Sequence, residues 1–359
     1  MTKVLLLIDS LISGGAQRQI VGLAVMLSKE GYDITLLTYH DHSFYLPVLK
    51  ENNVNYHYER LAKNKFLRFF IIYNYIKEFN PHVVISYLDT PNMLACICHI
   101  FNQKFKLIVS ERNTTQLLGI KEKLKFYLYK NADKIVPNSY TQTSFIKDNF
   151  PMLQSKMVTI TNFVDTDLFV PQKCPIKPAG KYLILGVGRV CKQKNVLNFI
   201  SAINIVREKY DVSVVWYGRT DGEYILKCHE LMSELKMDEG AFAFKKQTLN
   251  MVPVYQEFDA VCLPSIYEGF PNVLCEAMSC GLPVICSNVC DNPAIVENEK
   301  NGFLFDPMDI NDIADKIICF IMMNQKDRER MSNRNRKKAI DMFSRQNFLS
   351  KYEKLIQEL

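Results

Sequence analysis

Residues 265–283 read SIYEGFPNVLCEAMSCGLP and join an apolar run of strand length, 260–264, to a short amphipathic helix. Gly269 suits a tight turn, Pro271 the first helical position, and Val273, Leu274 and Ala277 form one apolar stripe. Gly281 and Pro283 then stop the helix. A strand–turn–helix of this kind belongs to a parallel sheet. Its helix N-terminus, carrying roughly half a positive charge, points out of the sheet's carboxyl edge, where a diphosphate fits. Glu268 precedes the helix and Glu276 follows eight residues later, so one pocket can hold a phosphate between two hydroxyl-binding acids. Phosphate with polyol describes a nucleotide sugar. On spacing alone, the stretch is equally a strand–turn–helix with solvated glutamates, and the rest of the chain has to decide.

The chain has 359 residues, 48% hydrophobic and 23% charged, which favours two soluble globular domains. After Met1-Thr2-Lys3, a five-residue apolar run is stopped by Asp9, too short for a signal peptide, and a cytoplasmic chain is expected. No run approaches the length of a membrane span. The eleven cysteines lack metal-ligand spacing: Cys96 and Cys98 are too close, and Cys286 and Cys290 have no histidine nearby. Reduced, mostly buried thiols are expected. Residues 1–170 carry 19 Lys and Arg against 14 Asp and Glu, so +5 of the net +6 lies there. Such an excess fits an anionic ligand or a membrane surface. With no aromatic-basic repeat, nucleic acid is not expected as a partner.

Strand and helix patterns alternate from the start. Apolar runs of strand length fall at 3–8, 31–39, 54–58, 82–86, 106–110 and 133–136, with helical periodicity at 17–30 and 65–79. A Pro-rich, non-periodic stretch, 170–180, is the linker candidate. A second alternation follows, with strands at 182–187 and 212–217, helices at 196–209 and 224–235, and apolar segments at 241–244, 252–258, 260–264 and 283–287. Three helical segments close the chain. The fold class is α/β, two Rossmann-like, doubly wound domains with mostly parallel sheets: 1–168 and 169–343, with a final helix at 344–359. Ligands bind outside the carboxyl ends of such sheets. Three loops fall there: Ser13-Gly14-Gly15-Ala16, the loop from Gly188 and Arg189 to Lys194 and Asn195, and the opening stretch. Gly14 and Gly15 do not make a G-x-G-x-x-G fingerprint and read equally as a turn; Arg189 and Lys194 can neutralise a diphosphate or form a solvated loop.

Taken together, Gly188-Arg189 with Lys194, the E-x7-E pair Glu268 and Glu276, and Gly281-Leu-Pro-Val284 resemble the retaining glycosyltransferases of family 4. Gly14-Gly15-Ala16, Asn138-Ser139, Asn162-Phe-Val-Asp165 and Asn301-Gly-Phe-Leu-Phe305 look like further landmarks of that family, in order. The resemblance implies the GT-B architecture, two Rossmann-like domains facing a cleft, the first for the acceptor and the second for the nucleotide sugar, with the last helix packing back on the first. It implies that Arg189 and Lys194 bind the diphosphate and stabilise the leaving group, so that no metal or other cofactor is needed. It also implies that Glu276 takes the ribose, that Glu268 takes the transferred sugar, and that the backbone around Gly269, Phe270, Pro271, Asn272 and Val273 cradles phosphate. Gly15 closes over the diphosphate in the same picture.

One departure stands out. Many relatives carry a histidine after the strand that resembles 107–110, where this chain reads Ser110-Glu111-Arg112-Asn113, and none of its six histidines replaces it. Glu111 and Arg112, at a strand end, are candidates for orienting sugar or acceptor, or form a structural ion pair; Asp89 is a further acceptor-site candidate. This form looks like that of bacterial transferases that build surface polysaccharide on a polyprenyl diphosphate. Two segments, 63–72 and 120–130, combine basic residues with aromatics, as interfacial helices do or as ordinary helices with a basic face do. The expected function is therefore retaining transfer of a hexose or N-acetylhexosamine, from a UDP-sugar by preference, to a lipid-linked glycan at the inner face of the membrane. The rivals are a GDP-mannose-dependent mannosyltransferase, a nucleotide-sugar epimerase, and a sugar-nucleotide-binding scaffold.

Overall fold

The computed structural model describes residues 1–115, 117–172, 180–220, 222–248 and 250–359, so most of the expected linker lies outside the described residues. The chain forms two compact units, Met1–Asn162 with Arg345–Leu359, and Phe163–Ser344. In the first, β1 (Lys3–Leu7), β2 (Asp33–Thr38), β3 (Asn55–Tyr58), β4 (Val83–Tyr87), β5 (Lys106–Glu111) and β6 (Lys134–Pro137) form one sheet in the order β3-β2-β1-β4-β5-β6. The second holds β7 (Lys181–Val187), β8 (Asp211–Tyr217), β9 (Phe242–Lys245), β10 (Ala260–Leu263), β11 (Val284–Ser287) and β12 (Gly302–Phe305), in the order β12-β11-β10-β7-β8-β9. Every recorded strand pairing in both sheets is parallel, and both sheets repeat one order in which the first strand lies beside the fourth.

The uninterrupted apolar runs have a simple cause. Strands covered on both faces, such as β1, β4, β10 and β11, have no solvent side on which to alternate, and nearly all their residues are buried. In the second unit, successive residues feed opposite cores. Ile184, Val214 and Trp216 join the helix Val196–Arg207 on one face. Leu185, Val261 and Leu263 join the helices Met251–Glu257 and Asn272–Ser279 on the other. The last helix, Arg345–Gln357, contributes Tyr352 to the first unit, its hydroxyl 2.8 Å from that of Tyr87.

Several expectations shift. The helix expected from residue 17 begins at Gly15, so Gly15 is its first residue rather than a loop residue. The helix expected over 65–79 begins at Arg68: the Asn64 side chain, after a 3-10 turn at Arg60–Lys63, accepts from Phe66 N and holds residues 65–67 in a turn. The strand β12 has too short an apolar run to stand out from the sequence; its pairing with β11 over Gly302–Phe305 makes it a strand.

Candidate functional site

In the second unit the strand order reverses between β7 and β10, and the loops leaving these two strands carry the candidate residues. The loop after β7 runs through Gly188 to a 3-10 turn, Lys192–Lys194. Gly188 has φ +149, and a Cβ there would meet Lys194 Cε at 2.8 Å, so the lysine lies back across the glycine. Lys194 Nζ then reaches Glu268 Oε1 at 2.5 Å, and Ser265 Oγ donates to the same oxygen at 2.5 Å. Ile266 N donates to Gln193 O at 2.8 Å and Gln193 Nε2 to Tyr267 O at 3.1 Å, so the two loops are stitched by backbone as well as by charge. Glu268 is 8% exposed. Arg189, by contrast, is exposed and has no ion-pair partner among the described residues. The structure therefore joins Lys194 to Glu268 directly and leaves Arg189 facing solvent.

The helix Asn272–Ser279 starts one residue later than expected. Pro271 is its N-cap, with φ −80 and ψ 110, not its first helical residue, and no side chain among the described residues caps it. Proline's fixed φ suits that extended position. Phe270 turns inward to within 5.5 Å of Phe343, ring to ring, so its side chain is core and only its backbone faces the loop. Asn272 and Val273 are half-buried in the first turn, as is Gly269 in the loop before it. Glu276 is 4% exposed, and Tyr255 Oη, itself fully buried, donates to its Oε2 at 2.9 Å. The helix ends as expected, with Gly281 at φ +72, Gly281 N donating to Met278 O and Leu282 N to Ala277 O.

In the first unit the candidates fall into two buried networks, and neither is an edge-facing pair. Glu111 is 0% exposed; its Oε2 lies 3.1 Å from Lys125 Nζ and accepts from Tyr129 Oη at 2.9 Å. Burial raises its carboxyl above the usual range, in opposition to Lys125. Burial alone lowers Lys125, but Glu111 and Asp89 together hold its ammonium above the usual lysine value. Arg112 is turned away from Glu111. It donates to Tyr87 Oη at 2.5 Å, Tyr352 Oη at 2.8 Å and Asn162 Oδ1 at 2.9 Å, and lies over the Tyr87 ring. Expected at the strand's ligand edge, both side chains are instead buried, Glu111 at 0% and Arg112 at 8% exposure, each held by other side chains of the unit. Asp89 does reach the surface, 3.1 Å from Lys125 Nζ.

In the two basic-aromatic segments Arg68 and Lys125 are buried: Arg68 donates to Ala62 O at 2.7 Å and lies over the Tyr39 ring. Around them Phe66 (91% exposed), Phe70, Ile120 (89% exposed), Leu124 and Tyr127 face solvent beside Lys63, Lys65, Lys121 and Lys123. No helix among the described residues is long and apolar enough to cross a membrane. All ten described cysteines are free, and seven of them are buried.

Several residues of these networks escaped the sequence reading, Ser265, Lys125 and Tyr255 among them. Ser265 stands three positions before Glu268 in the opening stretch, and Lys125 stands one helical turn before Tyr129, a spacing that puts both on one face. Tyr255 gives no signal, since an aromatic in an apolar helix reads as core.

Two family models match the chain, Glycosyltransferase Family 4 over residues 13–168 and Glycosyl transferases group 1 over residues 172–338. A Campylobacter jejuni protein is 27% identical over 80% of this chain and 81% of its own length. It is named as a 4-α-N-acetylgalactosaminyltransferase for N-acetylgalactosamine-N,N'-diacetylbacillosaminyl-diphospho-undecaprenol. A second protein of that organism, an α-1,4-N-acetyl-D-galactosaminyltransferase named for a longer glycan on PP-undecaprenol, is 25% identical over 100% of this chain and 99% of its own. Among solved structures, a Rickettsia africae glycosyltransferase superposes with a TM-score of 0.86 at 18% identity, covering 99% of this chain and 98% of its own. Anabaena HepE in complex with UDP-glucose superposes with a TM-score of 0.87 at 17% identity, covering 100% of both chains.

Proposed function

Because the chain belongs to the family 4 glycosyltransferases and has their GT-B fold, we propose that it moves a hexose or N-acetylhexosamine from a UDP-sugar to a saccharide carried on a polyprenyl diphosphate, with retention at the anomeric carbon and without a metal ion. The observation that carries this reading is the Lys194–Glu268 contact at the point where the second sheet's strand order reverses. It sets a cation for phosphate and a carboxylate for sugar hydroxyls side by side, as a nucleotide sugar requires. The names of the two Campylobacter relatives support the acceptor, and the fold shared with HepE is compatible with a UDP-sugar donor.

In this proposal Lys194 and the solvent-facing Arg189 neutralise the diphosphate, and the first-turn N–H groups after Pro271 complete its cradle. Glu276, steadied by Tyr255, takes the ribose hydroxyls. Glu268 takes hydroxyls of the transferred sugar, with Lys194 fixing its orientation. The bond from the anomeric carbon to the phosphate oxygen breaks, and a bond to the acceptor oxygen forms on the same face. The acceptor's proton passes to the departing phosphate oxygen, whose growing charge Lys194 and Arg189 stabilise. For membrane approach, Phe66, Phe70, Ile120 and Leu124, set among lysines, suit an anionic lipid surface.

The test is nucleotide release from a panel of UDP- and GDP-sugars, with and without diphosphoundecaprenol-linked saccharides. Acceptor-dependent UDP release with an α-linked product is expected. Nucleotide release that ignores the acceptor identifies a hydrolase, an epimerised donor with no net nucleotide release identifies an epimerase, and GDP release identifies the mannosyl alternative.

A further inference from the structure

The first sheet has its own reversal of strand order, between β1 and β4, and open parallel sheets take ligands at such points. Two short segments flank it: the loop that runs from β1 to Gly14, and Leu88 with Asp89 after β4. Leu88 has φ +77 and ψ 158, a region that strains a residue with a side chain. Its surroundings impose that conformation. The helix Asp89–Phe101 is locked by Asn92, a fully buried side chain that accepts from Ser86 Oγ at 2.7 Å and donates to Ser110 O and Tyr129 Oη at 2.9 Å. With the helix start fixed to β4 and β5, Leu88 has to make the left-handed step, and Asp89 is delivered to the carboxyl edge.

The charges around Asp89 do not balance as a structural pair. Lys125 Nζ lies 3.1 Å from Asp89 Oδ1 and 3.1 Å from Glu111 Oε2. The side chains of Lys125 and Glu111 are 3% and 0% exposed, that of Asp89 is 23% exposed, and Glu111 Oε1 has no hydrogen-bond partner among the described residues. One ammonium thus serves two carboxylates. Glu111, enclosed and further held by Tyr129, already neutralises Lys125; Asp89 is the surplus acid, fixed on one oxygen and open to solvent. Lys121, 4.0 Å away and largely exposed, adds little. A rigid, acceptor-only group at a sheet's ligand edge suits hydroxyl donors.

We infer that Asp89 binds a hydroxyl of the acceptor saccharide, and that Lys125, backed by Glu111, is the positioning residue that sets its carboxylate. This rests on the lipid-linked saccharide reading above. The geometry supplies a direction: the sugar-contacting group at this edge is Asp89, whereas Glu111 and Arg112 act from behind it or in another network.

The experiment uses the full chain, a panel of diphosphoundecaprenol-linked N-acetylhexosamine mono- and disaccharides, and calorimetric titration with UDP. Asp89→Asn keeps shape and loses charge; its acceptor KM is expected to rise about tenfold or more, with UDP affinity and melting temperature unchanged. Lys125→Met reproduces the rise in acceptor KM, and Lys125→Arg recovers part of it. An unchanged acceptor KM in Asp89→Asn overturns the inference. So does a parallel fall in UDP affinity and melting temperature in Asp89→Asn, which marks a purely structural network. A wild-type enzyme that extends no member of the panel, while still binding UDP, overturns the lipid-linked reading instead.

Discussion

Replacing Glu276 by alanine tests two duties of one buried carboxylate at once. Its Oε2 accepts from Tyr255 Oη at 2.9 Å, and both side chains are buried. If the carboxylate takes the ribose hydroxyls, its loss removes a pair of charge-assisted hydrogen bonds, about 2 kcal/mol or about thirtyfold in nucleotide affinity. The same substitution leaves the Tyr255 hydroxyl without its acceptor in a dry core, at a cost of about 1–3 kcal/mol. For a unit the size of Phe163–Ser344, that corresponds to a fall in melting temperature of about 5 °C. Two further variants separate the duties. Glu276→Gln keeps an oxygen for Tyr255 and should melt near the wild type while binding nucleotide more weakly. Tyr255→Phe removes one bond that steadies the carboxylate and should weaken nucleotide binding only about fivefold. Calorimetric titration with UDP and thermal melting in the absence of ligand read the two quantities independently. A Glu276→Ala protein that melts lower but binds UDP as tightly as the wild type would refute the ribose assignment and leave Glu276 a structural residue.

A Cβ at Gly188 meets Lys194 Cε at 2.8 Å on a backbone at φ +149, so Gly188→Ala should lower the melting temperature through about 1–3 kcal/mol of strain and displace Lys194 from Glu268. Turnover should fall with it, and wild-type turnover would show that the placement of Lys194 is immaterial. Lys125, Tyr87 and Tyr129 all hold their protons more tightly than usual: Lys125 through Glu111 and Asp89 against the effect of burial, the tyrosines through burial. Raised values contribute stability that is complete below the unfolded-state values and is lost as pH climbs through the folded ones. Melting temperature should therefore drop steeply above about pH 10, and a flat alkaline limb refutes the network. Lys125→Met should lose about 3–5 kcal/mol at neutral pH, as chemical denaturation would show. If Lys194 and Arg189 neutralise the diphosphate, transfer should survive exhaustive treatment with EDTA; loss of activity restored by a divalent cation would overturn the metal-free proposal.

The sequence alone determined the two α/β alternations, because strands covered on both faces must be apolar throughout and therefore stand out as runs. It also determined the helix stop at Gly281 and set Glu268 and the cationic loop after β7, the first strand of the same unit, on one sheet edge, since glycine and charge announce turns and edges locally. Only the tertiary structure decided which charges are spent. Lys125 and Arg68 look like outward cations in a basic helix, yet each is inside, because Glu111 and Asp89 in one case and the Ala62 and Lys63 carbonyls in the other arrive from distant or looped segments. Glu111 and Arg112 are neighbours in sequence and go to separate networks, since adjacent residues leaving a strand point to opposite faces. The same rule that made the strands legible hid the partners. Periodicity reports whether a side chain is buried, whereas its partner depends on which strand lies next to its own, and that order was fixed by the two sheets.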